Sequence, residues 1–92
     1  MRLDEVVRYL DGYLRSKEVA DDRNALNGLQ VANGGEVRRI AAAVDACQAT
    51  IDASAERGAD LLLVHHGLFW SGLEPLTGRG YRRFSALVKG DV

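Results

Sequence analysis

Several things that would fix a function class are scarce in this chain. It has one cysteine, Cys47, so no intramolecular disulfide can form and a reducing cytosol is the natural setting. It has one proline, two histidines and no apolar run near the ~20 residues that a membrane span needs. The segment MRLDEVVRYL carries acids where a signal peptide would carry a basic start and an apolar core. A cytoplasmic protein with no membrane partner is the expectation. Charge of one sign is also missing: twelve basic residues face thirteen acidic ones, the net charge is -1, and no long basic run exists. That argues against DNA or RNA as a partner, because phosphate binding leaves a basic footprint.

What is present suits a small folded domain. At 92 residues with 47% hydrophobic and 27% charged content, the composition is ordinarily globular. A chain of this size buries roughly 60–65% of its unfolded surface. Residues 1–92 are therefore expected to make a single domain.

Leu3, Val6, Val7, Leu10 and Leu14 repeat at helical spacing with charged residues between them, which predicts an amphipathic helix over 2–16. Asn27-Gly28 signals a turn, Leu29 to Val31 form a short candidate strand, and Asn33-Gly34-Gly35 marks another turn. VRRIAAAV at 37–44 reads as a strand buried on both faces and closed by Asp45. CQATIDASAERG follows as a helix stopped by Gly58, with Cys47 expected as a buried packing residue. Leu61 to Val64 is a second strand with the same two-sided burial. Strand, helix, strand makes a βαβ core with a parallel sheet. Residues 71–80 hold the only proline and three of the ten glycines and read as an exposed loop, before Tyr81, Phe84, Leu87 and Val88 resume helical spacing. Two parallel strands leave polar edges unpaired, so the pattern points to part of a longer protein or to a chain completed by its neighbours.

The chemistry concentrates in LLLVHHGLFW, residues 61–70. His65 and His66 fall at the carboxyl end of a strand, where ligands collect in doubly wound sheets. Successive residues of an extended chain point to opposite sides, so both rings reach one metal only with a bend there, or each serves one of two neighbouring metals. Gly67 offers the freedom to bend. The alternative is a pair of satisfied polar residues at a strand end. Asp45, closing the preceding strand, is the acid that topology places nearby, and it either joins such a site or caps the following helix. Phe69 and Trp70 read as site wall, interface or core packing. A Walker loop, a His-Glu-x-x-His zinc helix and a Gly-x-Ser-x-Gly elbow are absent, and Gly78-Arg79-Gly80 lacks the third glycine of a dinucleotide fingerprint.

NALNGLQV at 24–31 and LLLVHHGLFW at 61–70, with VDACQATIDASAERGAD between them, together resemble the start of the GTP cyclohydrolase I type 2-like family, the Nif-three-like dinuclear metal proteins. The resemblance spans nearly the whole chain. It implies a three-layer α/β sandwich with a mainly parallel sheet, of which this chain is an incomplete N-terminal lobe, a cytoplasmic location and a ring-shaped homo-oligomer. It also implies two divalent metal ions (Zn, Mn, Fe, Ni or Mg) held by His65 and His66, with Asn27 and Gln30 beside the same cavity. The family completes its centre with a later aspartate and with a histidine and a glutamate near the far end of the protein. None has a counterpart in these residues, so weak metal binding or none is expected of this chain alone.

The function implied is a metal-dependent hydrolase on a nucleotide or other small molecule, with the metals activating a shared water and polarising the scissile group. A metal-binding or protein-interaction module without turnover is a second reading. A lobe whose histidines are vestigial is a third.

Overall fold

The computed structural model describes residues 1–21, 23–69 and 71–92. Its elements run α1 (Leu3–Leu14), β1 (Ile40–Asp45), α2 (Gln48–Glu56), β2 (Leu61–His66) and α3 (Gly78–Gly90). β1 and β2 form a parallel two-stranded sheet in which Ile40 lies opposite Leu61 and Asp45 opposite His66.

The side chains of β2 alternate, and this alternation builds the layers. Leu61 faces α1 and packs with Leu3, Val6 and Val37, with Val7 and Leu10 against the same cluster. Leu62 faces the other way, toward Ile51 of α2, Leu87 of α3 and Val92. One helix therefore covers one face and two helices cover the other, which is the three-layer α/β arrangement expected. Ile51 is 0% exposed and anchors the second cluster.

α1 follows from its apolar positions at Leu3, Val6, Val7 and Leu10, with Asp4 and Glu5 in the first turn favouring the positive helix end. It ends earlier than the periodicity suggests. Arg15 takes the left-handed conformation, its N–H bonding to the carbonyls of Asp11 and Gly12, and Leu14 is left half exposed. Tyr9 and Tyr13 stack on the outer side of the helix, 6.0 Å between ring centres.

Three expectations about the strands are corrected. Leu29 to Val31 is not a strand, and its polar groups are used differently, as described below. Strand β1 begins at Ile40 rather than at residue 37, because the preceding N–H groups are taken elsewhere. Those of Arg38 and Arg39 donate to Asp60 Oδ2 at 2.8 and 3.0 Å, while Val37 N–H bonds to the Met1 carbonyl at 2.7 Å. That bond holds Val37 in the core beside Leu3. Two-sided burial fails for β1: Ile40 and Val44 are 47% and 65% exposed, because α1 covers β2 on that face and not its neighbour.

α3 starts within the predicted loop, at Gly78. Thr77 is its N-cap residue, with the Gly80 and Tyr81 N–H groups bonding to the Thr77 carbonyl at 3.0 and 3.3 Å, so glycine-rich residues of low helix propensity are recruited into the first turn. Gly58 does end the α2 segment as expected, in a left-handed conformation at φ +70°. Among the described residues, no helix is long and apolar enough to cross a membrane.

Candidate metal centre

Strand β2 carries both histidines as its last two residues, two positions further than the apolar run alone indicates. The pairing persists to that point because the Ala46 N–H donates to the His66 carbonyl at 2.9 Å. Partners in a parallel register share a face, so Asp45 and His66 lie side by side, and Asp45 Oδ1 sits 2.8 Å from His66 Nδ1. Both side chains are half exposed, at 60% and 48%. A carboxylate accepts only from a protonated nitrogen, so this contact directs an N–H at Nδ1 toward Asp45 and sets the orientation of the ring. The His65 and His66 rings, which a flat strand would send to opposite sides, lie 4.5 Å apart between centres with a 48° tilt. The strand end has turned both toward one place.

The capping role considered for Asp45 belongs to other residues. Helix α2 starts at Gln48 with Cys47 as N-cap, so Asp45 lies two residues too early to serve it. Thr50 closes the turn: its hydroxyl accepts the Cys47 N–H at 3.0 Å and donates to the Asp45 carbonyl at 2.7 Å. Cys47 is half-buried at the helix start rather than a buried helix residue, and the hydrogen bonds from Thr50 hold its thiol below the ordinary cysteine range.

Gln30 sits against the turn that follows the histidines. Its Oε1 accepts the N–H groups of Leu68 and Phe69 at 2.8 and 3.3 Å. Its Nε2 donates to the Leu26 carbonyl. The Leu26 N–H in turn donates to the Phe69 carbonyl at 3.1 Å. The two motifs, NGLQV and HHGLF, are thus sewn together through backbone groups. Phe69 is half-buried, and Trp70 lies outside the described residues.

A cavity of about 590 Å³ opens beside this turn, lined by Val7 and Leu10 of α1 and by Asn27, Gln30, His65 and His66 among others. The volume is that of a small-molecule site. Asp11 of α1 and Asp21 also line it. Neither is marked out by the sequence: spacing assigns Asp11 to the polar side of a helix, and nothing in that spacing says that this side borders a cleft. These carboxylates do not complete a coordination shell. Among the described residues, no three His, Cys, Asp or Glu side chains come close enough together to hold a metal ion.

The sequence matches the family described as Duf34/NIF3 (NGG1p interacting factor 3) over residues 1–92. Among curated proteins it is 55% identical over 91 residues to the GTP cyclohydrolase 1 type 2 homolog of Treponema pallidum, covering 92% of this chain and 32% of that protein. It is 48% identical to the homolog of Deinococcus radiodurans, covering 97% of this chain and 33% of that protein. Among solved structures, the crystal structure of TTHA1606 from Thermus thermophilus superposes with a TM-score of 0.92 at 44% identity, covering 100% of this chain and 38% of the other. Protein ybgI, of unknown function, superposes with a TM-score of 0.88 at 36% identity, covering 99% and 36%. The chain spans about a third of the length of the curated relatives it matches. On this sequence match and this shared backbone, the chain belongs to the Duf34/NIF3 family.

Proposed function

We propose that His65 and His66 are ligands of a dinuclear divalent-metal centre, and that this centre serves a hydrolase acting on a nucleotide or another small molecule. The observation that carries the reading is the arrangement of the two rings. They lie 4.5 Å apart at the carboxyl end of β2, and one of them has its Nδ1 on Asp45 at 2.8 Å. A carboxylate behind an imidazole fixes which nitrogen is presented and raises its basicity, the usual outer arrangement of histidine ligands. Neutral imidazoles suit Zn, Fe or Ni, and Mn or Mg less well. When bound, such a pair of ions supplies water activation and neutralises developing negative charge.

This chain's own residues would present two nitrogen donors, orient one of them, and offer an apolar-walled cavity of substrate size beside them. Two imidazoles are fewer than the three or four protein ligands of a firm site. The relatives, about three times as long, leave room for the remaining donors. The names of the relatives suggest GTP as one substrate. Any phosphoester fits two metals as well, so chemistry at the site outweighs the name. A cytoplasmic, ring-shaped homo-oligomer without nucleic-acid or membrane partners belongs to the same reading.

A second reading is a metal-binding or interaction module without turnover, favoured because, among the described residues, no three His, Cys, Asp or Glu side chains are grouped so as to hold a metal. Product release from GTP and from a generic phosphoester, with Mn²⁺ or Zn²⁺ added, separates the two. Turnover that disappears in the His65→Ala/His66→Ala double variant supports the hydrolase. Metal uptake without turnover supports the module, and turnover untouched by the double variant defeats both.

A further inference from the structure

Gln30 and Gly67 couple two motifs more than thirty residues apart in the chain. A Cβ built on Gly67 would lie 2.7 Å from both Cδ and Nε2 of Gln30, closer than real Cβ contacts allow. A flexible side chain normally swings away from such an intrusion. This one is pinned at both ends, because Oε1 holds the Leu68 and Phe69 N–H groups and Nε2 holds the Leu26 carbonyl. Moving the amide would strip acceptors from two successive N–H groups at the exit of β2 and leave the carbonyl of Leu26 without its donor. The absence of a side chain at 67 and the amide at 30 are therefore two halves of one fit.

We propose that Gln30 is the positioning residue of the His65–His66 turn. Its amide occupies the space above Gly67 and takes the N–H groups that follow the histidines, so the two imidazoles hold their mutual geometry only while positions 30 and 67 keep their present sizes. The mechanical part of this proposal stands on the hydrogen bonds above; its importance for function rests on the metal reading.

The test uses the whole chain and two readouts. The first is the ring ¹H and ¹⁵N resonances of His65 and His66 in the metal-free protein, with the Tyr9 and Tyr13 rings on α1 as remote reporters. The second is Zn²⁺ affinity by competition with a chromophoric chelator. Gly67→Ala, Gln30→Met and Gln30→Ala are each expected to move the histidine signals and leave the tyrosine signals in place, and to weaken Zn²⁺ binding about 10–100-fold, the scale seen when support for a ligand is lost. Gln30→Glu, which retains the acceptor oxygen, is expected to stay nearer the wild-type signals than Gln30→Met. In Gly67→Ala the further change Gln30→Ala makes room for the methyl group, so the double variant is expected to bind Zn²⁺ more tightly than the product of the two single effects predicts. If Gly67→Ala fails to fold, the Met and Glu variants at position 30 carry the test alone. Histidine signals unmoved in Gln30→Met, or two effects that simply multiply, overturn the proposal. Wild-type protein that takes up no Zn²⁺ shows that two imidazoles alone do not hold the metal, and the metal-free ring signals still decide the role of Gln30.

Discussion

Replacing Asp45 with asparagine separates orientation of a ligand from stability of the fold. The Asp45–His66 contact is 2.8 Å long but half exposed, at 60% and 48%. Exposed pairs of this kind contribute about 0–1 kcal/mol to stability. In a domain of this size that corresponds to a melting temperature lowered by no more than ~8 °C. The effect on a metal is different in kind. Without the carboxylate, Nδ1–H loses its charged acceptor and the ring is free to take the other tautomer, and loss of such an outer partner weakens metal affinity about 10–100-fold, or ~1.4–2.8 kcal/mol. Asp45→Asn is therefore expected to melt close to wild type while binding Zn²⁺ at least tenfold more weakly. Thermal unfolding by circular dichroism and Zn²⁺ competition on the same samples read both quantities. Unchanged affinity refutes the orienting role, and so does a loss of affinity fully matched by a loss of stability.

Two further predictions concern the scaffold. Ile51, 0% exposed between Leu87 and Val92, is expected to lose about 2–5 kcal/mol of stability as Ile51→Ala, measured by urea unfolding, and a loss under 1 kcal/mol would show the second cluster to be loosely packed. Asp60 accepts the N–H groups of Arg38 and Arg39, and these bonds hold its carboxyl below the usual carboxylate range. A lowered folded-state value means that its contribution is fully present above the unfolded value of about 3.9 and is lost as pH falls through the folded value. The gap in urea midpoint between wild type and Asp60→Ala should thus be constant above about pH 5 and shrink as pH drops toward 2. A gap independent of pH would count against it.

The sequence made the layers legible because they rest on periodicity. Leu3, Val6 and Leu10 announced α1, and the aliphatic run at 61–64 announced β2. Much less visible were features in which a side chain answers a backbone group. Arg38 and Arg39 read as strand until Asp60 is seen taking their N–H groups, and Leu29 to Val31 read as strand until Gln30 is seen reaching across to Leu68 and Phe69. Such bonds join residues distant in sequence and leave no period behind. At the site, the position of His65 and His66 was legible from where the apolar run stops. The choice between cap and partner for Asp45 was not, because it turns on α2 starting at Gln48, a boundary set by Thr50 bonding back to Cys47. Asp11 shows the same limit: helical spacing put it on a polar side without revealing the cleft that this side borders.

The most direct measurement is calorimetric titration of the purified chain with Zn²⁺ and with Mn²⁺, repeated on the His65→Ala/His66→Ala double variant. Saturable uptake by the wild type that vanishes in a folded double variant is the predicted result. Equal uptake by both proteins would contradict the assignment of these imidazoles as metal ligands, and none by the wild type would show that two imidazoles hold no metal without further donors.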